Sequence, residues 1–153
     1  MSDLRDLYQE LIIEHGRRPR HFHALPNASH CAKGNNPLCG DSLIVYLEIK
    51  DNKVMDVSFE GHGCAISVAS ASLMTDSIIG KTLDDVQHLF TAFHDAIVID
   101  KEPAMDLGKL QVLMGVKEFP VRVKCATLAW HTLKNALEKQ SIVASTETDE
   151  DTP

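Results

Sequence analysis

The stretch SLIVYLEIKDNKVMDVSFEG (42–61) constrains the fold of this chain more than any other. Leu43, Val45, Leu47 and Ile49 occur at every second position, which puts them on one face of a strand. Val54, Val57 and Phe59 mark a returning strand, and Asp51-Asn52 between the two runs suits a tight turn. The intervening Ile44 and Tyr46 imply that the second face of this β-hairpin is partly covered as well.

The period then changes from strand to helix. CAISVASASLMTDSIIG (64–80) is dense in Ala and Ser, which lets a helix pack close to its neighbours, and Gly80 ends it. TLDDVQHLFTAFHDAIV (82–98) opens with a Thr cap and acids in its first turn. Its stripe of Val86, Leu89, Phe90, Phe93 and Ile97 belongs to a core. DLGKLQVLMGV (106–116) reads as a shorter helix, FPVRVK (119–124) as a bend or extended piece, and CATLAWHTLKNALEKQ (125–140) as the final helix. Ahead of the hairpin, SDLRDLYQELIIEH (2–15) reads as an amphipathic helix through Leu4, Leu7, Tyr8 and Leu11, capped by Ser2 or Asp3 and stopped by Gly16. Residues 17–37 hold three prolines and little periodicity, so a long loop is expected there. The order implies an α+β fold: a small antiparallel β-sheet packed against several α-helices in two layers. Residues 1–141 are expected to form a single domain, and the acidic segment 142–153 to be disordered.

Charge narrows the function. The formal net charge is −7, but four of the acids lie in STETDEDTP (145–153), and the remaining body is only mildly acidic. No basic face invites nucleic acid. No apolar run approaches the roughly 20 residues of a membrane span, and the N-terminus has no apolar signal core. The expected location is the cytoplasm. There, the four cysteines are core residues, metal ligands or catalytic thiols rather than disulfides.

Three of them, Cys39, Cys64 and Cys125, fall at expected element ends: before the first hairpin strand, at the strand–helix junction, and at the start of the last helix. Loops and element ends project groups toward a common site. Helix N-termini also favour the thiolate, which would apply to Cys64 and Cys125. Gly40, Gly61 and Gly63 allow tight turns beside Cys39 and Cys64. Asp41 lies two residues past Cys39, so a bend can bring both to one centre. Three thiolates and a carboxylate suit tetrahedral zinc, and thiolates also suit iron–sulfur clusters. The spacings of 25 and 61 residues match no zinc-finger pattern, so on spacing alone three ordinary buried cysteines stay equally open.

NPLCGD (36–41), GHGCAISVASASLMT (61–75) and VRVKCATLAW (121–130) together resemble the SufU branch of the IscU/NifU N-terminal domain family of iron–sulfur cluster assembly proteins, and the likeness runs from LYQELIIEHGRRPR (7–20) to the last helix. The resemblance implies an α+β fold and a site built from Cys39, Asp41, Cys64 and Cys125. In the SufU branch it implies a zinc centre and a sulfur acceptor that takes persulfide sulfur from a SufS-type cysteine desulfurase, with Cys39 as the acceptor that both binds the metal and leaves it. SufBCD-type scaffold proteins or apo iron–sulfur proteins are the implied downstream partners. In the IscU branch the equivalent cysteines assemble a transient 2Fe–2S cluster, with iron in place of zinc. Lys124 stands where the IscU pattern has histidine. Arg122 and the long Cys64–Cys125 interval also match the SufU pattern. Arg122 and Lys124 are candidates for steering the anionic persulfide, against an alternative reading as surface cations. A structural zinc domain that displays a protein-binding surface is a further reading.

Other residues have plainer readings. Cys31 matches no ligand of that family and reads as a free loop thiol. His30 reads as a solvated loop residue. RRPRHFH (17–23) reads as a solvated loop before any contact with an acidic partner, and its two histidines lack further ligands nearby. His62 ranks below Asp41 as a ligand.

Overall fold

A computed structural model describes residues 4–37, 40–138 and 143–145, with side chains described over 9–37 and 40–138. The hairpin is formed as the alternation predicts. Strand β2 (Asp41–Lys50) pairs antiparallel with β3 (Lys53–His62), from Ser42 opposite His62 to Lys50 opposite Lys53, with a register shift at Glu48/Ile49. Asp51 and Asn52 both take positive φ, 54° and 64°, as a primed two-residue turn demands. Leu43, Val45, Leu47, Val54, Val57 and Phe59 are fully buried on the inner face.

A further strand, β1 (His30–Asn36), lies inside the segment expected to be a long loop. It pairs antiparallel with β2, from His30 opposite Leu47 to Asn36 opposite Asp41. Its inward residues are Ala32, Gly34 and Asn36, all buried, so it lacks the large apolar alternation that reveals a strand. Within the segment expected to be disordered, Val143–Ser145 form β4, parallel to β1, which makes the sheet order β3-β2-β1-β4. The rest of 142–153 lies outside the described residues.

Helices cover the inner face. They are α1 (Leu4–Arg17), α2 (Ala65–Ile78), α3 (Leu83–Val98) and α4 (Pro120–Leu137), with a 3₁₀ segment over Gly108–Glu118 where a short α-helix is expected. Among the described residues no helix is long and apolar enough to cross a membrane. The side chains of Leu4, Leu7 and Tyr8 lie outside those described, while Leu11 and Ile12 pack on the core. Helix α2 is buried on most of its surface, and its small residues permit this: Ser67, Ala69, Ser70, Ala71 and Ser72 are all inaccessible. Polar atoms there are used as ties. Ser70 Oγ donates to the Ala126 carbonyl of α4 at 2.6 Å, and Ser72 Oγ lies 2.6 Å from His15 Nδ1 of α1 while accepting Arg20 N–H at 2.8 Å. Thr82 caps α3 through Asp85 N–H at 3.1 Å, and Val86, Leu89, Phe93 and Ile97 are buried along its stripe.

Helix α4 starts five residues earlier than expected. Pro120 at its first turn removes only an amide that would be unpaired anyway. The β-branched Val121 and Val123 give this turn an extended look in sequence. Cys125 is therefore the sixth residue of α4, fully buried, and not at its N-terminus. Of these two cysteines only Cys64 stands at a helix end, as the cap of α2.

Helix α4 also presses on β1. A Cβ placed on Gly34 would collide with Thr132 Oγ1 and meet Leu128 Cδ1 at 3.2 Å. Ala for Gly in a strand ordinarily stabilises by lowering unfolded-chain entropy. Here Gly34→Ala is expected to destabilise by about 1–3 kcal/mol, from overpacking, as read by the urea midpoint at unchanged m-value.

His131 of α4 is a pH-sensitive group of the fold. Its ring lies 5.5 Å from that of His94 and 6.1 Å from that of Phe90. Burial first, then His94 and Lys134, push its pKa down to about 4. The unfolded chain then binds the extra proton between about pH 6.5 and 4, so stability is complete above 6.5 and falls as pH drops toward 4. The loss is at most about 3 kcal/mol. Thermal melts at several pH values should show a smaller loss over that window in His131→Gln.

Candidate metal centre

Asp41 opens β2 beside the turn from β1, and only 1% of it is exposed. A buried carboxylate needs compensation. Its Oδ1 accepts the backbone N–H of Cys64 at 2.9 Å, at the positive end of α2. Its Oδ2 is buried and has no hydrogen-bond partner among the described residues. Gly63 makes the approach possible, because a Cβ there would run into Asp41 Oδ1. The sequence suggests a turn glycine at this position. The structure adds a second requirement, open space for the carboxylate.

Cys64 caps α2 with an extended backbone (φ −71°, ψ 167°), which turns its thiol back toward β2. Cys125 reaches the same place from α4, whose depth is set by the Ser70–Ala126 bond one residue further on. The donor atoms of Asp41, Cys64 and Cys125 all lie within 4.8 Å of one another. Two thiols and a spare carboxylate oxygen at that separation suit a divalent ion with sulfur and oxygen ligands. The unpartnered Oδ2 has lone pairs that a cation could use.

Arg122, exposed in the first turn of α4, faces both thiols. Attraction to Cys64, then a hydrogen bond and attraction to Cys125, raise its pKa further above the usual arginine value. It is a permanent positive charge at the mouth of the centre. Lys124 is exposed one residue before Cys125. Cys39 lies outside the described residues. On its flanks, Gly40 takes φ 73° and donates its N–H to the Asn36 carbonyl at 2.9 Å, joining the two ends of the segment that contains Cys39. A groove of about 1430 Å³ runs to Cys64 and Arg122 between Ile12, Ile66, Met114 and Phe119.

The remaining candidates sit elsewhere. Cys31 is exposed opposite Tyr46 in the sheet, and His30 Nδ1 is 2.8 Å from Ser29 Oγ. His62 is exposed at the end of β3. His21 pairs with Asp76 at 3.2 Å and His23 with the Ala24 carbonyl at 2.8 Å, so these two histidines serve different partners. One residue at the centre enters the sequence reading only as the first letter of NPLCGD, with no role of its own. Asn36, directly across from Asp41, is fully buried and neither polar atom of its side chain has a partner among the described residues.

A family model for the NifU-like N terminal domain matches residues 7–142. The chain belongs to this family. It is 38% identical over 142 residues to the iron–sulfur cluster assembly scaffold protein IscU of Streptococcus pyogenes serotype M1, covering 92% of this chain and 89% of that protein. It is also 38% identical over 140 residues to the zinc-dependent sulfurtransferase SufU of Bacillus subtilis strain 168, covering 91% and 95%. Among solved structures, it superposes on the crystal structure of FiSufU from Fervidobacterium islandicum AW-1 with a TM-score of 0.81 at 34% identity, covering 87% and 98%. The expected α+β architecture is that of FiSufU.

The Gly63 contact makes a direct test. In Gly63→Ala the added methyl must displace the Asp41 carboxylate from the Cys64 amide. Zinc affinity, measured by competition with a chromophoric chelator, is expected to fall about 10–100-fold, as when ligand-orienting contacts are removed. Unchanged affinity would mean that the carboxylate position does not matter to the ion.

Proposed function

We propose that this chain acts in iron–sulfur cluster biogenesis as a zinc-dependent sulfur acceptor, taking persulfide sulfur from a SufS-type cysteine desulfurase. The observation that carries the reading is the convergence of Asp41, Cys64 and Cys125 within 4.8 Å, with one buried carboxylate oxygen left unpaired. The relative named a zinc-dependent sulfurtransferase supports it.

Asp41, Cys64 and Cys125 would hold zinc, with Cys39 as the fourth ligand. Bound zinc supplies Lewis acidity that keeps its thiol ligands deprotonated at neutral pH. Cys39 is the nucleophile. Its thiolate attacks the outer sulfur of the donor's persulfide and forms a new S–S bond. The donor's own S–S bond breaks, and the electron pair leaves on the donor cysteine as thiolate. The product is a persulfide on Cys39, and no net oxidation or reduction occurs. Arg122, held at the thiols with its charge fixed, attracts the anionic donor and product. Lys124 adds positive charge beside it. The downstream acceptor in this reading is a SufBCD-type scaffold or an apo iron–sulfur protein.

A second reading has the same residues cradle a transient 2Fe–2S cluster as cargo. The relative named a scaffold protein favours it, and two thiols in one small cluster suit iron as well as zinc.

Native mass spectrometry of the purified protein, before and after exposure to an active desulfurase with cysteine, separates the two. The expected outcome is one bound zinc and the gain of one sulfur, with the gain absent in Cys39→Ala. If zinc stays bound and an active desulfurase adds no sulfur, the transfer mechanism is wrong, and a stable cluster spectrum on anaerobic iron reconstitution would then favour the scaffold.

A further inference from the structure

Seven buried side-chain polar atoms lack a hydrogen-bond partner among the described residues, and three of them belong to two residues that face each other. Asn36 closes β1 and Asp41 opens β2, paired directly across the strands. Directly paired residues in a sheet put their side chains on the same face, with Cβ atoms about 5 Å apart. Alternation along β1 settles which face this is. Gly34 lies against Leu128 and Thr132 of α4, so Asn36, two residues on, projects from the same side. The donors of Asp41 and Cys125 meet on that side too.

An asparagine carboxamide has two donors and two acceptor lone pairs. Asn36 is fully inaccessible, and neither its Oδ1 nor its Nδ2 is satisfied. Leaving both unmade costs free energy that an apolar side chain of similar volume would spare the fold. A residue of this kind is out of place in a sheet interior unless something at the site engages it. The group opposite is a carboxylate whose Oδ1 is already fixed by Cys64 N–H and whose Oδ2 is free. A carboxylate oxygen has two lone pairs. One can serve a cation while the other accepts a hydrogen bond from a neutral donor, and such a donor also relieves the crowding of negative charge among thiolates and a carboxylate.

We propose that Asn36 is a positioning residue of the metal centre, donating an Nδ2–H hydrogen bond to the Asp41 carboxylate when that carboxylate binds the ion. Asn36 touches neither sulfur nor metal in this role. It aims Asp41 from the strand side, as the Cys64 amide aims it from the helix side. The inference rests on the zinc reading above and extends it to a residue outside the ligand set.

The test uses the full chain with Asn36→Leu, an apolar replacement of similar volume, and Asn36→Ala as the smaller alternative should Leu not fold. Two quantities are read: zinc affinity by chelator competition, and the melting temperature of the chelator-treated protein. Zinc binding is expected to weaken about 10–100-fold, while the zinc-free melting temperature of Asn36→Leu stays equal or rises, because an unsatisfied amide has been removed. A structural role would move both quantities down together, and that result overturns the proposal. Wild-type zinc affinity in the variants overturns it too, while leaving the zinc reading intact. Failure of the wild-type chain to bind zinc at all would instead remove the zinc reading, and this inference with it.

Discussion

The hydrogen bond from the Cys64 amide to Asp41 Oδ1 is the contact on which the centre depends. It joins the first residue of β2 to the cap of α2 and gives one oxygen of a buried carboxylate its hydrogen-bond partner. The donating amide stands at the N-terminal end of a helix buried along most of its length, where it has no partner within the helix. The bond also orients the carboxylate so that its other oxygen points away from the amide. Gly63 leaves the space for this, and the β2–β3 ladder, which ends at Ser42 opposite His62, brings the two partners within reach.

The third donor is placed by a different set of contacts. Cys125 lies inside α4, whose height above the sheet is fixed on one side by the near-contact of Gly34 with Thr132 and on another by the Ser70–Ala126 bond to α2. Small residues at both contacts let three backbones approach closely. The same closeness explains why β1 is poor in apolar bulk and why α2 is rich in Ala and Ser.

How far the sequence revealed this architecture follows from those contacts. The hairpin was legible because its alternation is large and apolar on the inner face. The stripe and cap of α3 were legible for the same kind of reason. Strand β1 was hidden because Ala32, Gly34 and Asn36 face α4 and carry no apolar signal. The start of α4 was hidden because Val121 and Val123 favour an extended reading while Pro120 suits a first helical turn. That misplaced boundary put Cys125 at a helix end. The motifs single out Asp41, Cys64 and Cys125, and the fold brings their donor atoms within 4.8 Å of one another, a distance that nothing in their spacing reveals. Asn36 had no periodic or chemical signal, since its meaning comes from its partner across the strand.

The donors come from the beginning of β2, the cap of α2 and the interior of α4, so an ion held by all three is a cross-link between distant parts of one chain. A cross-link of this kind forms only when the sheet and both helices are assembled, and the unfolded chain gains little from it. Native stability then depends logarithmically on the free concentration of the ion relative to its dissociation constant. If the chain carries such an ion, a cell that withholds it would lose folded molecules as well as loaded ones, and the supply of the ion would then set how much of the chain survives proteolysis.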